Sequence, residues 1–323
     1  MRSARPRPNR TGEEMAERRT WVVPAEVGGQ RLDRVVAVLG NVPRSVAREI
    51  VDAGDVLVDG EPRPAAFRVP AGRTVVAVVP DPSGPPEPAR VPFVVRHEDA
   101  SFLVVDKPAG VVTHPGAGHR DDTLLNGLMG VYPELFELGE EHRYGIVHRL
   151  DRGTSGLLIV ARTAAAHGVL QRALARREIE RVYLAVVCGT PVAESGTIDA
   201  PIGRDPRHPT RMTLRRDGRP ARTHYSVKAS WPRHALLEVT LETGRTHQIR
   251  VHCTSIGVPL AGDDTYGRCH DVADPGRVWL HSARLAFDHP ARRERVTVAS
   301  PLPADLDACL ARLGPPTSGS LPP

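Results

Sequence analysis

The chain has 323 residues, 40% of them hydrophobic, enough to bury the core of one large domain or two ordinary ones. A net charge of +5 permits a nucleic-acid partner without requiring one, and aromatic residues at 4% exclude extensive stacking on exposed rings. No apolar run is long enough to span a membrane and no secretory signal pattern is present, so a cytoplasmic protein is expected.

Residues 1–20 are polar, contain arginine and proline, and lack periodicity, which predicts a disordered tail. Trp21-Val22-Val23 reads as a short strand. Leu32, Val35, Val36 and Leu39 recur at helical spacing, with Gly40-Asn41 closing the helix. Ser45 to Ala53 reads as a second helix, with Val46, Ala47, Ile50 and Val51 on one face and Gly54 just after it. Val56-Leu57-Val58 runs as a strand into the tight-turn pair Asp59-Gly60, and Thr74 to Val79 is another strand. Residues 21–80 thus form a compact module. Arg31, Arg34, Arg44 and Arg48 decorate its helices. A solvated face is the bland reading, and arginines on a helical pair set against RNA phosphates is the preferred one. Residues 81–92 are rich in proline and predict a semi-rigid spacer between domains.

The larger domain is expected at 93–312, with a disordered tail at 313–323. Its strands are read at Phe93-Val94-Val95, Phe102 to Val105 and Val111-Val112-Thr113, with a turn at Asp106 to Gly110. Asp122 or Thr123 caps a short helix carrying Leu124, Leu125, Leu128 and Met129. Then comes His148-Arg149-Leu150-Asp151-Arg152-Gly153-Thr154-Ser155-Gly156, followed by the apolar Leu157-Leu158-Ile159-Val160. Asp151 is therefore expected on a loop entering a buried strand. An aspartate between guanidinium groups stays ionised, which suits a nucleophile or a base. A helix follows from Thr163 to about Arg177, and Arg181 to Cys188 is an alternating strand bearing Tyr183. A strand tyrosine is more often core than catalytic, yet a flat ring near a reacting carboxylate also suits an unstacked base.

Residues 203–222 hold seven arginines against Asp205 and Asp217, an excess equal to the net charge of the whole chain. Arg215 and Arg216 lie in this loop or long hairpin, which fits phosphate contact. Strands at Thr223 to Ala229 and Ala235 to Leu241 lead to Gly244-Arg245-Thr246-His247-Gln248-Ile249-Arg250-Val251-His252, read as the start of a helix ending near Ile256. On it Thr246, His247 and Arg250 share a face, and Arg250 is a candidate partner for a buried carboxylate. Val278 to Leu285 and Val296 to Val298 are late strands. The four cysteines show no zinc-type spacing, the scattered histidines offer no ligand motif, and no metal is assigned.

Gln30-Arg31-Leu32-Asp33-Arg34, Arg44-Ser45 and Ile50-x-x-x-Gly54-x-Val56-x-Val58-Asp59-Gly60 resemble an S4 RNA-binding domain. His148-Arg149-Leu150-Asp151-x-x-Thr154-Ser155-Gly156 resembles the active-site motif of the RluA-type pseudouridine synthases. Arg181-x-Tyr183-x-Ala185-x-Val187, the Gly244 to His252 string and Gly262-Asp263-x-x-Tyr266-Gly267 follow in the matching order and point to the RluD-like branch. Arg181 departs from the lysine of many members and keeps the charge. The resemblance implies an α+β fold: a mixed, largely antiparallel sheet with flanking helices, plus a small N-terminal S4-like domain. It implies isomerisation of uridine to pseudouridine in structured RNA, ribosomal RNA favoured and transfer RNA the runner-up, by a monomer that needs no cofactor. Asp151 would be the essential carboxylate, Arg250 its partner and Tyr183 the stacking ring. Arg149 would fill the space left by the flipped base, and His247 would face RNA. The rival from another class is a non-catalytic RNA-binding or ribosome-assembly factor; a glycosidase would need a second carboxylate placed as acid.

Overall fold

The computed structural model describes residues 16–40, 42, 44–80, 86–116, 119–208, 210–267, 269, 271, 273–292 and 294–321. The chain divides into a first unit up to Pro86, with Pro115–Arg120 grouped with it, and a second unit formed by the rest.

The first unit runs β1 (Ala16–Val22), β2 (Gln30–Arg31), α1 (Leu32–Leu39), α2 (Arg44–Asp52), β3 (Val56–Val58), β4 (Glu61–Pro62), β5 (Arg68–Val69) and β6 (Thr74–Pro80). One sheet has the order β1-β6-β3-β4, and β2 pairs with β5. Leu32, Val35 and Val36 of α1 and Ala47, Ile50 and Val51 of α2 pack on Val56, Val58, Val75, Ala77 and Val79, so the apolar faces read at helical spacing do build this core. The tail expected up to residue 20 is corrected within the described residues: Ala16 pairs with Pro80 and the ladder continues to Val22 with Thr74. An edge strand carrying Arg18 and Arg19 is held by backbone bonds to β6, which apolar periodicity does not register. Residues 1–15 and Asn41 lie outside the described residues.

The second unit begins with β7 (Val94–Glu98), β8 (Phe102–Lys107), α3 (Leu124–Val131), β9 (Ser155–Ala161), α4 (Ala164–Ala175) and β10 (Glu180–Cys188). It continues with β11 (Ser195–Asp199), β12 (Ile202–Arg204), β13 (Met212–Leu214), β14 (Arg222–Trp231), β15 (His234–Leu241) and α5 (Gln248–Ser255). It closes with β16 (Leu280–Asp288), β17 (Arg295–Ala299), α6 (Ala304–Leu313) and β18 (Ser318–Gly319). The main sheet has the order β11-β14-β15-β10-β16-β9-β8-β7, with β17 on β16 and β18 on β14. Its pairings are antiparallel except β9 with β16. The α+β architecture is as expected.

Successive residues of a strand face opposite ways. Leu158 and Val160 of β9 enter one core with α3, while Leu157, Ile159 and Ala161 enter another with α4 and β17. Ala185 and Val187 of β10 face α5, while Leu184 and Val186 face α6. A sheet covered on both faces explains why the strand after Asp151 is an unbroken apolar run. Thr123 caps α3, accepting from the Asn126 N–H, and Thr163 caps α4, accepting from the Ala166 N–H at 3.2 Å; each cap is worth about 1 kcal/mol.

Four further expectations need correction. Residues 81–85 of the proline-rich spacer lie outside the described residues, but its second half is docked. Ala89 N–H donates to the Asn126 carbonyl at 3.0 Å, and Asn126 Nδ2 donates to the Glu87 carbonyl at 2.7 Å. The C-terminal tail is also docked: Trp231 Nε1 donates to the Gly314 carbonyl at 2.9 Å and Gly319 pairs with Ala229. Composition reports neither anchor, because each partner is far away in sequence. Val111–Thr113 is not part of a ladder: among the described residues its strand-type pairing is the isolated bridge of Val112 with Thr123. Finally, α5 starts at Gln248, so Thr246 is not on the helix and does not share a helical face with Arg250. His247 precedes it in a left-handed conformation, φ 57°, which halts helical continuation towards Gly244.

Candidate active site

The pairing of β9, β16 and β10 assembles the site. Gly156 lies beside Ser282, and Ser282 lies beside Tyr183. Gly156 has φ +110°, and a Cβ there would stand 2.3 Å from the Ser282 carbonyl oxygen. Only glycine permits that approach, and it brings the loop bearing Asp151 beside the strand bearing Tyr183.

The loop is tied down at several points. The Thr113 hydroxyl donates to the Leu150 carbonyl at 2.9 Å and accepts the Leu150 N–H at 3.2 Å. Gly110 N–H donates to the Arg152 carbonyl at 2.8 Å, and Arg152 Nε donates to the Gly110 carbonyl at 3.1 Å. Arg152, unassigned from sequence, therefore fastens the loop to the Lys107–Gly110 turn. Arg277 donates to the Gly153 carbonyl at 3.0 Å and pairs with Asp305. His148 is buried and accepts the Ile159 N–H at 3.3 Å; burial, aided by Arg181, pushes it down to about 3, so it is a neutral strut.

Arg250 departs from its expected role. Its Nε and Nη2 donate to the two carboxylate oxygens of Asp263, each at 2.8 Å. Asp151 Oδ2 stands 3.7 Å from Nη1. The main partner of Arg250 is thus Asp263, and Asp151 takes the remaining edge of the guanidinium. Asp263 is fully buried as a side chain and also accepts the Thr265 and Tyr266 N–H groups at 2.9 and 3.1 Å. Burial pushes its carboxyl up, but the hydrogen bonds and charge of Arg250 outweigh it and hold Asp263 below the usual range. The Tyr266 ring lies 5.0 Å from the Arg250 guanidinium carbon, a cation–π contact. The Tyr266 hydroxyl accepts the Met212 N–H and meets His247 Nδ1, both at 2.7 Å. That network assigns the phenol proton towards Nδ1. Burial lowers His247, so its ring is neutral.

Tyr183 is buried, and burial raises its phenol, which stays protonated at neutral pH. Arg181 is buried as well, donates to the Leu241 and Glu242 carbonyls, and has no carboxylate partner among the described residues. These groups line a cleft of about 790 Å³. Arg143, Arg149, Arg177, Arg181, Arg245 and Arg250 line it against Asp151 and Glu242, so it suits a polyanion. Glu242 is engaged by Arg177, Arg222 and His224. Of the two carboxylates that line the cleft, Glu242 is engaged by these side chains, so among the described residues the cleft holds no second free carboxylate of the kind a glycosidase pair needs.

Of the expected RNA contacts, Arg149 is exposed at the cleft and His247 lines it. Arg215 pairs with Asp217, and Arg216 is exposed on the same hairpin. In the first unit Arg31 and Arg44 both bind the buried Asp33, and Arg48 pairs with Asp52. Arg34 is exposed. Arg31 and Arg44 thus also hold the module together.

Sequence reasoning missed Lys107 and Asp263. Asp263 had a signal in Gly262-Asp263-x-x-Tyr266-Gly267 but no role was drawn from it. Lys107 falls in the turn expected at Asp106 to Gly110, but it closes β8, after the apolar run Phe102 to Val105 and Asp106. It is fully buried, and its ammonium donates to the Pro108 and Val111 carbonyls at 2.9 and 2.8 Å, with the Arg152 carbonyl at 3.4 Å. Burial pushes it from 10.5 down to about 7, against the opposing charge of Asp151. Between those values the unfolded chain binds the extra proton, so Lys107 makes stability rise with pH. Denaturant midpoints at about pH 6.5 and 9.5 should rise less for Lys107→Met than for wild type; equal rises would remove this assignment.

A family model described as RNA pseudouridylate synthase matches residues 101–255, and an S4 domain model matches residues 30–75. A relative from Chloroflexus aurantiacus, an uncharacterized RNA pseudouridine synthase, is 44% identical over 92% of this chain and 94% of its own. The chain belongs to the RNA pseudouridine synthase family. Another relative of this synthase, the ribosomal large subunit pseudouridine synthase D of Xanthomonas campestris, is 41% identical over 91% of this chain and 92% of its own. The solved human RNA pseudouridylate synthase domain containing 1 covers 68% of the synthase and 87% of its own chain, at 31% identity and a TM-score of 0.53. The human RNA pseudouridylate synthase domain containing 4 shares the fold, with a TM-score of 0.58 at 23% identity over 70% of the synthase and 94% of its own chain. The synthase converts uridine to pseudouridine in RNA, and its first unit carries the S4 domain.

Proposed function

We propose that the synthase modifies uridine in large-subunit ribosomal RNA and that Asp151 is its essential carboxylate. The observation that carries the reading is Asp151 in an arginine-lined cleft, 3.7 Å from the Arg250 guanidinium. The relatives from Xanthomonas campestris and Nitrosomonas europaea, each 41% identical, bear the ribosomal large subunit name and support the substrate.

The reaction breaks the bond from ribose C1′ to N1 of uracil, turns the base and joins C1′ to C5. The C5 proton is lost and N1 regains one, so nothing is oxidised. Asp151 acts at the ribose as nucleophile or base. Arg250, clamped by Asp263, orients it. Tyr183 offers its ring to the flipped uracil, and its phenol relays the C5 proton, taking it up on oxygen as its own proton passes to solvent. Arg149 fills the gap left in the RNA, offsetting an unstacking cost of a few kcal/mol. Arg181, a buried cation without a carboxylate, faces a phosphate.

Tyr183→Phe keeps the ring and removes the hydroxyl. RNA affinity should hold while single-turnover rate falls on the order of tenfold or more; an unchanged rate would return Tyr183 to a packing role. In the S4 domain, Arg34 and Arg48 meet phosphates, with Arg31 and Arg44 beside them, as do Arg215, Arg216 and His247 in the second unit. Replacing Arg34 and Arg48 together by Glu should lower the slope of log affinity against log salt by about 2, and an unaltered slope would refute the contact. Mapping pseudouridine in cells lacking the gene tests the substrate. Loss at large-subunit positions supports it, and loss confined to transfer RNA overturns it.

A further inference from the structure

Away from the cleft, two strands and one loop bring four ligand-type side chains together. Cys188 ends β10, and its cross-strand partner on β15 is His234. Cys269 and Asp271 come from the segment between α5 and β16. Ligand atoms of Cys188, His234 and Cys269 all lie within 4.8 Å of one another. His234 Nε2 stands 3.1 Å from Asp271 Oδ1 and 3.9 Å from Cys269 Sγ, and Cys269 Sγ is 3.7 Å from Asp271 Oδ2. Only 5% of the His234 side chain is exposed. The two sulfurs are joined as a disulfide, with Cα atoms 6.3 Å apart.

We propose that Cys188, His234, Cys269 and Asp271 form a four-ligand zinc site when the two sulfurs are reduced. Zinc bonds of about 2.3 Å to sulfur and 2.0–2.2 Å to nitrogen and oxygen set tetrahedral ligand–ligand edges of about 3.3–3.8 Å. His234 Nε2 lies near such an edge from both Asp271 Oδ1 and Cys269 Sγ, and Cys269 Sγ lies near one from the other carboxylate oxygen, Oδ2. Asp271 lies outside the group of mutually close ligand atoms, and the sulfur–sulfur edge is closed by the covalent bond. Turning each cysteine about its Cα–Cβ bond opens it. Two thiolates, an imidazole and a carboxylate in tetrahedral array select zinc over magnesium or calcium.

The two states are linked by thiol–disulfide exchange. Two molecules of a thiol reductant convert the disulfide to two thiols and leave as their own disulfide. Zinc then displaces the two thiol protons. No zinc motif is visible in the sequence because the ligands come from three separate segments. The site also has a structural purpose. It ties to the sheet the same segment that carries Asp263, which holds Arg250.

The test uses the full chain, stripped of metal and reduced, with four free thiols counted after denaturation. Zinc is then added and unbound metal removed. About one zinc per chain should be retained, and Cys188→Ser and Cys269→Ser should each retain less than about a tenth of that. Cobalt added instead should give thiolate-to-cobalt charge-transfer absorption and the visible bands of a tetrahedral ion, both lost on adding oxidised glutathione. Because the wild-type measurement needs no variant, poor folding of a variant does not blunt it. A fully reduced wild-type chain that holds no more zinc than the variants, or that gives no such cobalt spectrum, overturns the proposal.

Discussion

Asp151→Asn should lower pseudouridine formation by at least about 10³-fold, the scale of losing a nucleophile or base. RNA affinity should hold or rise slightly. The substitution removes a negative charge from a cleft lined by six arginines. Stability should change little, because Arg250 keeps its two bonds to Asp263 and its distance to Asp151 is already 3.7 Å. The three expectations together separate a chemical role from a structural one. A large drop in Tm with proportionate loss of RNA binding would make Asp151 a strut, and rapid turnover by the variant would remove it from the reaction. Single-turnover kinetics, filter binding and a melting curve on the same preparation decide between them.

Asp263→Ala should produce the largest stability loss. Asp263 is wholly buried and meets Arg250 through two hydrogen bonds. Removing it leaves a guanidinium of 10% side-chain exposure with only the looser Asp151. Breaking a buried pair from one side costs about 3–5 kcal/mol, because the other charge stays desolvated. The backbone N–H groups of Thr265 and Tyr266 also lose their acceptor. The double variant Asp263→Ala with Arg250→Leu should recover part of that loss, since no buried charge is stranded, while remaining inactive. A double variant no more stable than Asp263→Ala would show that the cost lies in the loop turn and not in the ion pair.

Much of the site was legible because it rests on local strings. The loop of Asp151, the buried strand after it and the strand of Tyr183 follow from residue type and spacing, since a sheet buried on both faces writes itself as an apolar run. What sequence could not supply was which charge meets which. Arg250 has two carboxylates within reach, and the choice between them depends on α5 beginning at Gln248 and on the turn that aims Asp263. Lys107 was hidden for a similar reason: a lysine beside an aspartate in a turn looks exposed, and only the fold buries it under three carbonyls. The docked ends, around Ala89 and Gly319, were illegible because their anchors lie far away along the chain. The pairing of Cys188 with Cys269, 81 residues apart, belongs to the same class.

Isomerisation of uridine at the Asp151 cleft has a direct readout. Making the new bond at C5 of uracil expels the hydrogen there, so tritium placed at C5 of uridine in large-subunit ribosomal RNA is released to water only when the product forms. The purified chain should release it without any added cofactor, in step with pseudouridine measured in the digested RNA, and the Asp151→Asn chain should release none above background. Tritium release undiminished in the Asp151→Asn chain, or RNA bound by the wild-type chain with no release at all, would contradict isomerisation at this cleft.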